Sequence, residues 1–282
     1  MDTAQADYKK IVDLDALIAA GNNRVLKSLP RFIINKMKGI LCEEQLNAIH
    51  FKHRDKTGID FVNAMLSELE IEVKMHHPER IAKQGRYIFV ANHPLGGIDA
   101  LAFLSCIHQL TGEVISPSNE LFNNIPNLHP LIVGVNVFGR NNKDKSEAVI
   151  KAFASDAQVM IFPAGKVSRK QGRQIQDLQW HKAFVSKAVQ NQRDIVPVFI
   201  TGQNSQKFYR IARLRQFFHI KMSVETLFLP QEMFKKKTTR IELVFGKPVS
   251  WKAIDKSKNP QCWAQCIREM VYDLGQNFHA IG

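Results

Sequence analysis

Between Tyr87 and Leu104 the chain reads YIFVANHPLGGIDALAFL, and two of its side chains, His93 and Asp99, could do chemistry together. An imidazole held by a carboxylate is a general base, because the acid fixes the tautomer and stabilises the imidazolium formed when a proton is taken. Asn92 precedes the histidine, and Gly96 and Gly97 separate it from the acid. Glycines there let backbone N–H groups approach a reacting oxygen closely. By residue type alone, such a pair fits a structural tie across a loop as well as a catalytic pair.

A second cluster is Phe162-Pro163-Ala164-Gly165-Lys166-Val167-Ser168-Arg169, an apolar run ending in a Pro/Gly turn followed by two cations and a hydroxyl. Backbone amides with Lys166, Ser168 and Arg169 in one loop could hold a phosphate or carboxylate. The same residues also suit a basic surface loop. Gly139-Arg140 sets another cation after an apolar run. No Gly-x-Ser-x-Gly elbow or His-Glu-x-x-His helix competes with these sites. Nor is a metal site expected: Cys262 and Cys266 are poorly spaced for zinc and lack a second pair. With Cys42 and Cys106 they are too scattered for a disulfide scaffold, so reduced thiols and a cytoplasmic setting are expected.

The elements that must position these residues alternate. Apolar, β-branched runs predict strands at Tyr87–Val90, Glu113–Ser116, Leu131–Phe138, Gln158–Phe162, Ile195–Thr201 and Arg240–Phe245. Helical periodicity between and after them predicts helices at Asp99–Leu110, Lys145–Ser155, Trp180–Gln192, Gln206–Phe218 and Gln261–His279. Such alternation implies a three-layer α/β domain with a mostly parallel central sheet, whose strand-to-helix loops carry the site. Pro197, inside Val196-Pro197-Val198, marks a sheet edge or a bend. Residues 1 to 80 carry no strong strand signal and read as helices at Asp13–Ala20, Ser28–Leu41, Glu43–Arg54 and Thr57–Leu69. The expected organisation is an N-terminal helical region, 1–80, followed by an α/β domain, 81–282.

The chain has 282 residues and a net charge of +13, which calls for an acidic partner: nucleic acid, an anionic membrane surface, or an acidic protein or substrate. From Val25 to Leu41, Leu29, Ile33, Met37 and Ile40 share one helix face, with Lys27, Arg31 and Lys38 opposite and Pro30 in a first-turn position. That helix could lie on anionic lipid or present an ordinary solvated face. The segment Gln206–Met222 mixes aromatics with Arg and Lys, but its charges do not segregate around a helix. No signal peptide or spanning segment is seen, so contact with a membrane would be peripheral, on its inner face.

In order along the chain, Asn92-His93-…-Asp99, Gly134-Val135-Asn136-Val137-Phe138-Gly139-Arg140, Phe162-Pro163-Ala164-Gly165 and Val196-Pro197-Val198 resemble the glycerolipid acyltransferase family, which includes the lysophosphatidic acid acyltransferases. Its blocks are Asn-His-x4-Asp, Gly-x-x-Phe-x-x-Arg, Phe-Pro-Glu-Gly and a Val-Pro-Val strand; Leu229-Pro230 and Phe245-Gly246-Lys247-Pro248-Val249 add to the likeness. Five residues, not four, separate His93 from Asp99, and Ala164 replaces the family's Glu. This variant is similar to the haemolysin-like branch that N-acylates amino acids to make ornithine- or glycine-type lipids.

The resemblance implies an acyltransferase fold in which His93 deprotonates an amine or hydroxyl for attack on an acyl thioester, with Asp99 orienting it. Asn92, Gly96, Gly97, Arg140, Phe162, Pro163, Gly165, Lys166, Ser168 and Arg169 would bind substrate, the cations holding a small anionic acceptor. It also implies acyl-carrier protein or coenzyme A as donor carrier, an anionic membrane surface as partner, and no metal or bound cofactor. A 1-acylglycerol-3-phosphate O-acyltransferase and a non-catalytic basic lipid- or nucleic-acid-binding protein are the alternatives. No nucleic-acid partner is expected, since no recognised binding module is present.

Overall fold

The computed structural model describes residues 8, 10–21, 24–135, 143–220, 223–255 and 257–281. Helices α1 (Leu14–Ala20), α2 (Arg24–Lys27), α3 (Arg31–Ile40), α4 (Glu43–Lys52) and α5 (Gly58–Glu68) come first. The segment β1 (Glu72–His76), β2 (Tyr87–Ala91), α6 (Gly97–Thr111), β3 (Val114–Asn119), β4 (Ile132–Val135), α7 (Lys143–Ala154) and β5 (Gln158–Ile161) follows. Then come a hairpin of β6 (Arg169–Gln171) and β7 (Gln174–Gln176), α8 (Ala183–Asn191), β8 (Asp194–Ile200), α9 (Gln206–Phe217), α10 (Leu229–Lys235), β9 (Arg240–Phe245) and α11 (Pro260–Ile281).

Seven strands form one sheet in the order β1-β9-β8-β2-β5-β3-β4. The five from β8 to β4 are mutually parallel, while β9 runs antiparallel to β8 and parallel to β1. The α/β expectation with a mostly parallel sheet therefore holds. Strand β2 is buried on both faces, as an unbroken apolar run demands. Tyr87, Phe89 and Ala91 face a core shared with Phe61, Val62 and Met65 of α5 and Phe103 and Ile107 of α6. Ile88 and Val90 face the other layer, with Phe184 and Val185 of α8 and Ala264, Ile267 and Val271 of α11.

Several local expectations are corrected. A strand does lie before residue 80: β1 sits at the sheet edge, registered from Glu72↔Arg240 to His76↔Val244. Its alternating charged residues, half-exposed on an edge, hide it from a search for apolar runs. Of the edge or bend expected at Pro197, the edge is excluded, because β8 lies between β9 and β2. The proline's missing N–H faces a break in the β8–β9 ladder, where the Gly246 N–H donates to the Pro197 carbonyl and pairing resumes at Ile195↔Val249. The third helix begins after Pro30, which is its N-cap and not a first-turn residue.

The N-terminal helices are fastened to the body. Asn47 Oδ1 accepts from the Ile11 and Val12 N–H groups, and His50 bonds Asn127 at 2.7 Å. The cations expected to face lipid on α3 are partly engaged here. Arg31 pairs with Asp15, and Lys38 pairs with Asp15 and Glu43. The four cysteines are all unpaired.

Candidate active site

Parallel strands deliver their C-terminal loops to one edge, so the loops after β2, β5 and β8 meet there. Asn92 ends β2 by extending the ladder with its side chain. Its Nδ2 donates to the Ile200 carbonyl at 2.8 Å, and its Oδ1 accepts from the Ile200 N–H at 2.7 Å. That clamp fixes where His93 leaves the sheet. Gly96, at φ 101°, caps α6. A Cβ there would also sit 3.1 Å from Leu229, so the position excludes side chains twice. Gly97 differs: a Cβ on it would meet nothing within 4 Å, which leaves the space beside the loop open.

The turn brings Asp99, buried in the first turn of α6, to His93. Asp99 Oδ2 lies 3.1 Å from His93 Nδ1 and accepts the Leu95 N–H at 2.8 Å. The residue added to the expected spacing is thus taken up within the loop, and the pair forms. With a carboxylate on Nδ1, that nitrogen carries the proton and Nε2 presents its lone pair. No described residue bonds Nε2, and Asp99 Oδ1 is likewise buried without a partner. Burial works against the imidazolium, but the charge and hydrogen bond of Asp99, helped by the charge of Asp177, outweigh it and raise the His93 pKa.

The loop after β5 closes on the same histidine. The Phe162 ring stacks on His93 with centroids 4.0 Å apart, and the Ser168 N–H donates to the His93 carbonyl at 2.7 Å. Pro163 is buried and its carbonyl accepts from the His181 N–H, while Gly165, at φ 63°, closes the turn onto the Phe162 carbonyl. Lys166 projects from this turn, exposed, and no described carboxylate pairs with it. The two other expected binders point inward. Ser168 is buried and its hydroxyl donates to Asp177 at 2.6 Å. Arg169 is buried and gives Nε and Nη2 to Glu225 Oε1, at 3.1 and 2.9 Å. Its guanidinium ties the loop to the 3-10 turn Val224–Phe228. Arg140 lies outside the described residues.

Asp177 is a site residue that sequence reasoning missed. It is fully buried and accepts the His93 backbone N–H at 3.1 Å, the Ser168 hydroxyl and Trp180 Nε1 at 2.9 Å. Burial raises its pKa against those three donors. It lies 84 residues from His93, in a stretch without a motif, so nothing local signals it. A cleft of about 320 Å³ opens beside the loop, lined by Asn92, Pro94, Ser168, Phe199, Tyr272 and His279.

A buried acid, a histidine with a free Nε2, open space beside Gly97 and a helix N-terminus at the same loop can take a proton from a nucleophile and stabilise an oxyanion. The comparisons with known proteins agree in class. The family described as "Acyltransferase" matches residues 17–280, and the chain belongs to that family. It is an acyltransferase. The lyso-glycine lipid O-acyltransferase of Bacteroides thetaiotaomicron is 37% identical over 94% of this chain and 97% of its own. That of Phocaeicola vulgatus is 35% identical over 94% of this chain and 95% of its own. Among solved structures, the 1-acyl-sn-glycerophosphate acyltransferase of Thermotoga maritima aligns with a TM-score of 0.46 at 14% identity, covering 93% of this chain and 87% of its own.

Proposed function

We propose that this enzyme works in membrane-lipid synthesis, moving a fatty acyl group from a thioester of acyl-carrier protein or coenzyme A to the free hydroxyl of a lyso-lipid with a glycine headgroup. His93 Nε2 takes the hydroxyl proton as the oxygen attacks the thioester carbonyl. The new C–O bond forms, the oxyanion faces the N–H groups around Gly96 and Gly97, and the C–S bond then breaks with the proton passing from His93 to the leaving sulfur. Asp99 keeps Nδ1 protonated and stabilises the imidazolium. Lys166 holds the acceptor's carboxylate, and Phe162 keeps the imidazole in place by stacking. The reaction balances without a metal or bound cofactor.

The observation that carries this reading is the free Nε2 of a histidine whose other nitrogen is held by buried Asp99. The O-acyltransferase activity for which the two relatives are named favours a hydroxyl of a lyso-lipid over the amine of a free amino acid. A hydroxyl also has the greater need of a base, since its proton must leave as it attacks.

The test offers the purified enzyme an acyl thioester with lyso-glycine lipid, free glycine or lysophosphatidic acid, reading released thiol and product mass. Lyso-glycine lipid should be acylated on oxygen with a kcat/KM roughly tenfold or more above the others. In the same assay Lys166→Ala should raise the acceptor KM about 10- to 100-fold, through one lost charge-assisted contact, and move the donor KM far less. Preference for lysophosphatidic acid, or an N-acyl product, would overturn the acceptor. The absence of thiol release with every acceptor would overturn the reading as a whole.

A further inference from the structure

The outward side of α9 and the turn after it form a surface that the chemistry above does not use. Phe208, Tyr209 and Ala212 turn inward and are buried. Lys207, Arg210, Arg213, Leu214 and Phe217 fall on the opposite side by their helical spacing. Leu214 is 57% exposed, Phe217 74%, Phe218 65% and Ile220 45%, while Leu227 adds an exposed side chain from the 3-10 turn packed along α9. Between Thr201 and Gln231 the only acid is Glu225, and it is buried between Arg169 and Arg215. Among the described residues no carboxylate pairs with Lys207, Arg210 or Arg213.

The ordering along the helix decides what such a surface fits. The cations occupy the first two turns, and the aromatic and aliphatic side chains occupy the tip. Arg210 and Phe217 are separated by about 10 Å along the axis at 1.5 Å per residue. That spacing is enough to span the headgroup layer of one leaflet, about 5–7 Å, and reach the apolar interior. A helix tip pushed into such a surface places rings among acyl chains and cations among anionic headgroups. Two adjacent, largely exposed phenylalanines at the helix tip ask for a soft apolar phase.

The same tip is built onto the active-site loops. Phe208 and Tyr209 pack with Val167 of the β5–β6 loop, Glu225 joins Arg215 of α9 to Arg169, and Leu229, at the start of α10, packs over Gly96. We propose that the tip of α9, Leu214, Phe217, Phe218 and Ile220 with Lys207, Arg210 and Arg213 behind it, docks the enzyme on an anionic lipid bilayer. This rests on the reading that the acceptor is a membrane lipid. Docking there seats the loops of His93 and Lys166 by the lipid surface through one continuous body of packed residues.

The experiment is flotation with phosphatidylcholine vesicles, with and without phosphatidylglycerol, and with no substrate present. It compares wild type, Phe217→Ser/Phe218→Ser and Arg210→Glu/Arg213→Glu, each with a matching thermal melt. Wild type should favour the anionic vesicles. The aromatic variant should lose binding by about tenfold or more, and the charge variant by about fivefold per cation on anionic vesicles alone. Turnover of detergent-dispersed substrates should stay within about twofold for both variants, since no changed residue touches His93. Retained vesicle binding by the folded variants would sink the proposal. So would equal loss of detergent turnover, which would make the patch part of the substrate site. Loss of acyl-carrier-protein binding with vesicle binding intact would assign the surface to the donor instead. Vesicle binding without turnover of any acceptor would leave the docking surface standing and overturn the functional reading.

Discussion

At the residue scale, the proposed chemistry turns on the proton carried by His93. Burial favours the neutral ring, yet Asp99 and Asp177 raise the pKa above the ordinary 6.5. A general base must be neutral, so kcat/KM should rise with pH, and its acid limb should lie above pH 6.5. The stability linkage runs the other way. The folded chain holds this proton more tightly than the unfolded one, so the stabilisation is full below about pH 6.5 and fades as pH rises through the folded pKa. Asp99→Asn removes the main charge raising that pKa, so the limb should move to lower pH while the plateau rate falls, because an amide can hold the wrong tautomer. His93→Ala should lose about 10²–10⁴-fold in kcat at equal concentrations of folded protein. A pH–rate profile of the Asp99→Asn variant that overlays the wild-type limb would deny Asp99 its role. His93 and Asp99 were legible because they lie six residues apart across one loop. Asp177 and Glu225 were not, since their partnerships with His93 and Arg169 span 84 and 56 residues.

At the scale of elements, the sheet has two edges with different duties, and the one opposite the site is held by Arg193. Its guanidinium is buried and donates to the carbonyls of Phe153, Ser155, Ala157 and Tyr87, fastening the end of α7 and the starts of β5 and β2. With no carboxylate in contact, burial pushes its pKa down to about 10. Arg193→Met would leave these carbonyls short of a donor at about 1–3 kcal/mol each where no water replaces it. We expect a fall of about 3 kcal/mol or more in unfolding free energy, read by urea denaturation, with acceptor and donor KM unchanged. A fall under about 1 kcal/mol would mean that solvent or the backbone supplies the bonds instead. Apart from the short α2 and α10, the helices and the central strands were readable from apolar periodicity, since burial on two faces leaves an unbroken run such as Tyr87–Ala91. The exceptions share a cause. Strand β1 is a polar edge strand, and the separate β6–β7 hairpin turns at Gly172 with φ 61° between strands of Arg, Lys and Gln with one apolar residue, Ile175. Their strand state comes from pairing, which periodicity does not record. On the outward side of α9 the cations and aromatics segregate along the axis, so a search for two faces passes over the arrangement.

At the scale of the whole molecule, the charge is less evenly shared than its sum suggests. Five acids, Glu43, Asp99, Asp177, Glu225 and Glu232, are buried among the described residues against two guanidinium groups, Arg169 and Arg193. The solvent-facing excess of positive charge is therefore larger than the formal +13. No helix among the described residues is long and apolar enough to cross a membrane. A field of this sign attracts an anionic donor or lipid surface. Steering of that kind acts on encounter and is screened by salt: the Debye length falls from about 30 Å at 0.01 M to about 8 Å at 0.15 M. With acyl-carrier protein or coenzyme A carrying the acyl group, kcat/KM for the donor should fall about tenfold or more over that range, while kcat stays nearly constant. A short, uncharged thioester offered with the same acceptor provides the control, since it has no charge to steer. Its kcat/KM should change little with salt. A parallel fall for charged and uncharged donors would place the salt effect on the acceptor contact at Lys166, and the surface charge would then have no part in donor capture.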